Sequence, residues 1–92
     1  MRSEAYLSYI RTLPCLVHRR PGVEAHHYQR TGDKGLSLKT GDEWAVPVCK
    51  LCHDAIHMIG NEQSFWAIAG VDPVAWAEKT WSEWNDLRER QG

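Results

Sequence analysis

The stretch VPVCKLCHDAIH, residues 46 to 57, carries Cys49, Cys52, His53 and His57, and this density of metal-binding side chains constrains the fold more than any other feature. Read by itself, Cys49-x-x-Cys52-His53 fits two incompatible templates: half of a structural zinc site, or a C-x-x-C-H haem attachment site with His53 and Met58 as axial ligands. A chain of 92 residues makes one domain with a thin stability margin, so a bound metal is the expected staple. The three cysteines are an odd number, and in a reducing compartment they serve better as metal ligands than as disulfide partners. Glu4 and Arg11 interrupt the apolar N-terminal stretch, which therefore reads neither as a signal peptide nor as a membrane span. The expectation is a cytoplasmic protein without membrane contact. That counts against haem, whose covalent attachment usually takes place outside the cytosol.

Structural zinc is held tetrahedrally, commonly by two short-spaced pairs from separate parts of the chain. Cys15-x-x-His18 supplies the second pair, and binding by both would close residues 19 to 48 into one metal-clipped loop. Cys-x-x-His is the less common knuckle, so His18 is the weakest of the four ligands; without it the fourth position falls to water or to His53.

Four histidines remain. His53 and His57 are four apart, so on a helix both rings project from one face about one turn from each other, within reach of a shared metal. One of His26 or His27 can complete a three-histidine site, and three protein ligands with open positions are what a catalytic metal needs. The other would be a free imidazole beside the metal, a general base near neutral pH. Strict strand alternation sends His26 and His27 to opposite faces, so bringing both to one site predicts irregular backbone at Tyr28.

The surrounding elements read as α+β. Ser3 caps a short helix in which Tyr6, Leu7 and Ile10 share a face, with Pro14 as its stop. Cys15 to His18 form a turn, Val23 to Gln29 a strand, Thr31 to Asp42 a glycine-containing loop, and Glu43 to Cys49 a second strand that Pro47 assigns to an edge. A helix following Cys52 ends at Gly60. Asn61 caps another helix through Ala69, and Asp72-Pro73 opens the last, on which Val74, Ala77, Trp81 and Trp84 share a face. The tryptophans between 66 and 84 are expected to pack against the sheet and the metal helix, because a base-stacking platform would carry interleaved basic residues. This divides the chain into an N-terminal helix (1–14), a zinc-stapled core (15–60) and a Trp-rich helical extension (61–92). Residues 1–50 carry eight Lys/Arg against five Asp/Glu and residues 51–92 three against seven, so any contact with phosphate belongs to the first half.

The order His26-His27, glycine-containing loop, Cys49-x-x-Cys52-His53-x-x-x-His57 resembles the HNH, or His-Me finger, endonucleases. The stretch from Glu24 to His57 is similar to small phage and prophage HNH-like nucleases, including the phage nuclease that acts with RecA filaments. The resemblance implies a small ββα-metal core with zinc knuckles, flanked by the N-terminal and C-terminal helices. It makes His27 the general base, gives a divalent cation (Mg2+, Mn2+, Ni2+ or Zn2+) to His26, His53 and His57, and gives a structural Zn2+ to Cys15, His18, Cys49 and Cys52. The asparagine that gives the motif its N is missing between His27 and Cys49; Asp42 stands nearest its place and can accept from an imidazole N–H instead. The implied activity is metal-dependent hydrolysis of DNA, single- or double-stranded, with weak sequence specificity. Arg19, Arg20, Arg30, Lys34 and Lys39 would hold the backbone beside the cut, and a recombinase filament or another DNA-bound protein is the further partner. The alternative is a non-catalytic zinc-stapled module that binds nucleic acid or protein, which leaves four histidines without a task.

Overall fold

The computed structural model describes residues 2–28 and 41–91. They form α1 (Glu4–Arg11), β1 (Val23–His27), a 3-10 turn (Asp42–Trp44), β2 (Ala45–Cys49), α2 (Lys50–Ile59), α3 (Glu62–Ala69) and α4 (Pro73–Gln91). The result is a small α+β arrangement with a two-stranded antiparallel sheet in register Val23↔Cys49 through His27↔Ala45.

The helix starts follow from local chemistry. Ser3 Oγ accepts from the Tyr6 amide at 3.1 Å, Asn61 Oδ1 from Ser64 at 3.2 Å and Asp72 Oδ1 from Ala75 at 3.0 Å. Each cap satisfies an amide that the helix cannot, worth about 1 kcal/mol. The C-caps Gly60 and Gly70 sit at φ 73° and 72°, a left-handed conformation that costs glycine little and other residues more. The Thr12 cap stops α1 before Pro14 is reached.

Both strands are short. β1 ends at His27, so the expected extension to Gln29 is not made within the described residues, although the Tyr28 amide still donates to Trp44 O at 3.1 Å. β2 is buried except at Cys49, and Pro47 occupies a position whose carbonyl points away from β1, accepting from Leu16 at 3.1 Å. The absent proline N–H therefore costs the ladder nothing. α2 begins directly at Lys50, earlier than the apolar pattern predicts, and so holds Cys52 as well as His53 and His57.

Two apolar clusters meet at Trp76. One gathers Cys15, Leu16, Val46, Val48, Cys52, Ile56, Phe65, Trp66 and Ala77 around the sheet and α2. The other joins Tyr6, Leu7 and Ile10 of α1 to Ala45, with Trp81 and Trp84 of α4 against them. Trp66 is buried in the core and Trp76, Trp81 and Trp84 pack against it half-buried, but two of them lie on α1 instead of α2. Trp81 meets Tyr6 edge-on with centroids 4.8 Å apart, and Trp84 stacks on Tyr9 at 5.1 Å, geometries that favour aromatic pairs.

Candidate functional site

Two clusters of chemically active side chains lie beside the sheet, and among the described residues the first is the one whose donor atoms converge as a metal site. At the first, Cys15, His18, Cys49 and Cys52 bring their donor atoms within 4.8 Å of one another. Cys15 Sγ lies 3.7 Å from Cys52 Sγ, and His18 Nδ1 lies 3.2 Å from both Cys49 Sγ and Cys52 Sγ. A tetrahedron with Zn–S bonds of about 2.3 Å has S···S edges of roughly 3.8 Å, so three thiolates and one imidazole at these separations can hold a structural metal such as zinc. His18 takes the fourth position, and His53 is engaged elsewhere.

The chain builds this convergence from tight turns. The knuckle is closed by Arg19 N to Cys15 O and Cys15 N to Arg20 O, each at 2.9 Å, with Arg19 at φ 58°, a conformation a side chain tolerates at a cost of about 1 kcal/mol when its surroundings enforce it. Burial opposes ionisation of Cys15, yet the amides of His18, Cys49 and Val17 and the Cys52 thiol outweigh it and bring the group down to about 6. Cys52 is pushed up to about 12, by burial first and then by Cys49 and Cys15. Adjacent sulfurs cannot all ionise alone; a dication among them removes that conflict, which ties metal binding to folding.

The second cluster consists of imidazoles and carboxylates. His26 of β1 and His53 and His57 of α2 place their ring centroids 5.1 Å (His26 to His53), 6.3 Å (His26 to His57) and 4.9 Å (His53 to His57) apart. His26 Nε2 lies 2.8 Å from Glu62 Oε2, and His53 Nδ1 lies 3.2 Å from Glu24 Oε2. His57 is exposed on a cleft of about 500 Å³ that His26 and Glu62 also line. Neither carboxylate partner stands out in the sequence. Glu62 is 36 residues from His26, and only the fold joins them.

His27 takes no part in this group. Alternation along β1 turns it the other way, where its Nε2 meets Asp42 Oδ1 at 2.8 Å while Asp42 Oδ2 accepts from the Ser3 amide at 2.6 Å. Asp42 is thus in contact with the imidazole for which the sequence nominates it. Burial works to raise the Asp42 carboxyl, but the Ser3 amide and His27 hold it below its ordinary value. The bend that would bring both histidines to one face is not made; the strand stays paired through His27 and ends there. Arg19 and Arg20 are exposed beside the knuckle, and Arg30, Lys34 and Lys39 lie outside the described residues.

Residues 1–80 match the family described as Protein of unknown function (DUF968). The chain belongs to this family. The match includes both clusters and the His27–Asp42 pair, and leaves out residues 81–92, the larger part of α4 with Trp81 and Trp84. A relative from Escherichia coli (strain K12), the uncharacterized protein YdfU, is 30% identical over 54 residues, which cover 59% of this chain and 16% of the relative. This DUF968 chain thus corresponds to a minor part of that protein's length. No solved structure matches it. Among the described residues no helix is long and apolar enough to cross a membrane.

Proposed function

We propose that this domain is an HNH-like endonuclease: a ββα-metal core, clipped by zinc at its base, that hydrolyses phosphodiester bonds of DNA with a divalent cation. One observation carries the reading. A single antiparallel strand pair and the helix after it gather three neighbouring imidazoles on one side, and the next residue of the same strand is an imidazole held by a carboxylate.

In this reading His26, His53 and His57 bind the cation. When bound, the cation supplies polarisation of the phosphate and charge stabilisation at the leaving 3′ oxygen. Asp42 holds the proton of His27 on Nε2, which assigns Nδ1 to take a proton from the attacking water; the ring faces away from the three imidazoles here, so this step requires the end of β1 to turn it toward the cation. Asp42 also anchors the ring against rotation and favours the imidazolium that forms. Arg19 and Arg20 hold the backbone beside the cut by charge alone, so sequence preference is weak. The products carry 5′ phosphate and 3′ hydroxyl.

The test is nicking of supercoiled plasmid by wild type and His27→Ala, with magnesium, manganese, nickel or zinc and a chelator control. Cutting by wild type that disappears in the variant and in chelator is the expected result; equal cutting by both proteins sinks the role of His27. Exposed Leu51, Ile59 and Ile68 around an apolar groove between α2 and α3 favour a second reading, a zinc-stapled binding module without catalysis. That reading expects no cutting by either protein, with or without a recombinase filament on the DNA.

A further inference from the structure

The His26–Glu62 pair is unusual for what surrounds it. Both side chains are nearly buried, at 6% and 8% exposure, with Nε2 and Oε2 2.8 Å apart. Trp66 Nε1 donates to the same carboxylate oxygen at 3.0 Å from one turn further along α3, which fixes the carboxylate in place. A buried imidazole–carboxylate pair is a poor source of stability, because removing both groups from water offsets their attraction. Here it stands among two further imidazoles at the edge of a cleft. The separation also suits adjacent ligands of one ion, since octahedral bonds of about 2.1 Å put neighbouring donors roughly 3 Å apart.

We propose that Glu62 is itself a ligand of the cation, joining His26 and His57 at the cleft, and that its oxygen makes the site accept a hard divalent ion such as Mn2+ or Mg2+. This deepens the reading above and rests on it for a cation at these imidazoles. Imidazoles alone suit zinc and nickel, whereas carboxylate oxygen suits magnesium and manganese. The ion would take the place of the proton between Nε2 and Oε2.

The experiment titrates Mn2+ and Ni2+ into the full zinc-loaded chain by calorimetry, without DNA, and compares wild type with Glu62→Gln; zinc content and melting temperature are followed in parallel. A lost oxygen ligand should weaken Mn2+ about 100-fold and Ni2+ by less than about tenfold, because nickel relies on the imidazoles. An equal loss for both ions means that Glu62 only orients His26, and overturns the proposal, as does unchanged Mn2+ affinity. Should Glu62→Gln melt early, Glu62→Asp and Glu62→Ala carry the test: Asp is expected to retain Mn2+ binding that Ala loses, and equal binding by the two overturns it. Glu62-dependent Mn2+ binding in a protein that does not nick DNA would leave this site standing and remove the nuclease reading. Nicking with unchanged Mn2+ affinity in Glu62→Gln would do the reverse.

Discussion

The sulfur cluster and the imidazole cluster lie on the same short sheet and share α2, yet they are built on opposite plans. Around Cys15, His18, Cys49 and Cys52 the donor atoms already face one another within 4.8 Å, and backbone amides from two parts of the chain point at Cys15. Around His26, His53 and His57 two of the rings are held by carboxylates instead, Glu62 and Glu24, and His57 faces the cleft. A closed donor set with its own amide support suits a permanent structural ion; rings that already have carboxylate partners and an open side do not form such a closed set. Removing a side chain should therefore unfold the chain at the first cluster and leave it folded at the second.

The largest effect is expected from Cys52→Ser. It removes a buried sulfur 3.7 Å from Cys15 Sγ, and with it most of a metal-binding free energy of order 10 kcal/mol that doubles as folding free energy. Circular dichroism should show an unfolded chain with no stoichiometric zinc; a folded, zinc-free Cys52→Ser protein would erase the contrast between the clusters.

Asp42→Asn comes next, at about 1–3 kcal/mol, because one amide oxygen must serve both the Ser3 N–H and His27. The wild-type carboxyl is held below its ordinary 3.8 in the fold, so the stability it contributes is full above that value and is lost as pH falls through the depressed one. Urea melts at pH 7 and pH 3 should show a larger acid loss in wild type than in Asp42→Asn. Equal losses would show that Asp42 is not a stabilising anion.

His53→Ala should cost less than about 1 kcal/mol, since its partner Glu24 is 51% exposed and exposed pairs contribute little. Its zinc content should stay at wild-type level while Mn2+ affinity falls about tenfold or more; loss of zinc would show that the clusters are not separate. Lys50→Ala, which breaks an exposed pair with Asp54 at 3.4 Å, should move the melting midpoint by no more than about 0.5 kcal/mol allows, and sets the baseline for changes on α2.

What could be read in advance was local. Ser3, Asn61 and Asp72 declare helix starts because a cap acts within three residues, and Gly60 and Gly70 declare ends because a left-handed residue is nearly a glycine property. The Cys/His quartet was legible for a related reason: each pair is a short chelating turn, and only the meeting of the turns needs the fold. Partners chosen by tertiary packing were not legible. Nothing near Glu62 announces His26, and the spacing of Trp81 and Trp84 marks a buried face without saying that α1 lies opposite. The divergence of His26 and His27 was the outcome that alternation alone predicts, and the expected bend failed because the ladder holds through both residues.

The outward side of β2 has a last consequence. Its Ala45 N–H turns back to Asp42 O, Pro47 has no N–H to offer, the Pro47 carbonyl is taken by Leu16, and the Cys49 N–H points at Cys15 Sγ. A free sheet edge is a template on which a foreign peptide or a second copy can add a strand. Here the 3-10 turn, the proline and the knuckle between them take up the N–H groups of that edge, so a strand arriving on β2 finds no backbone donor there.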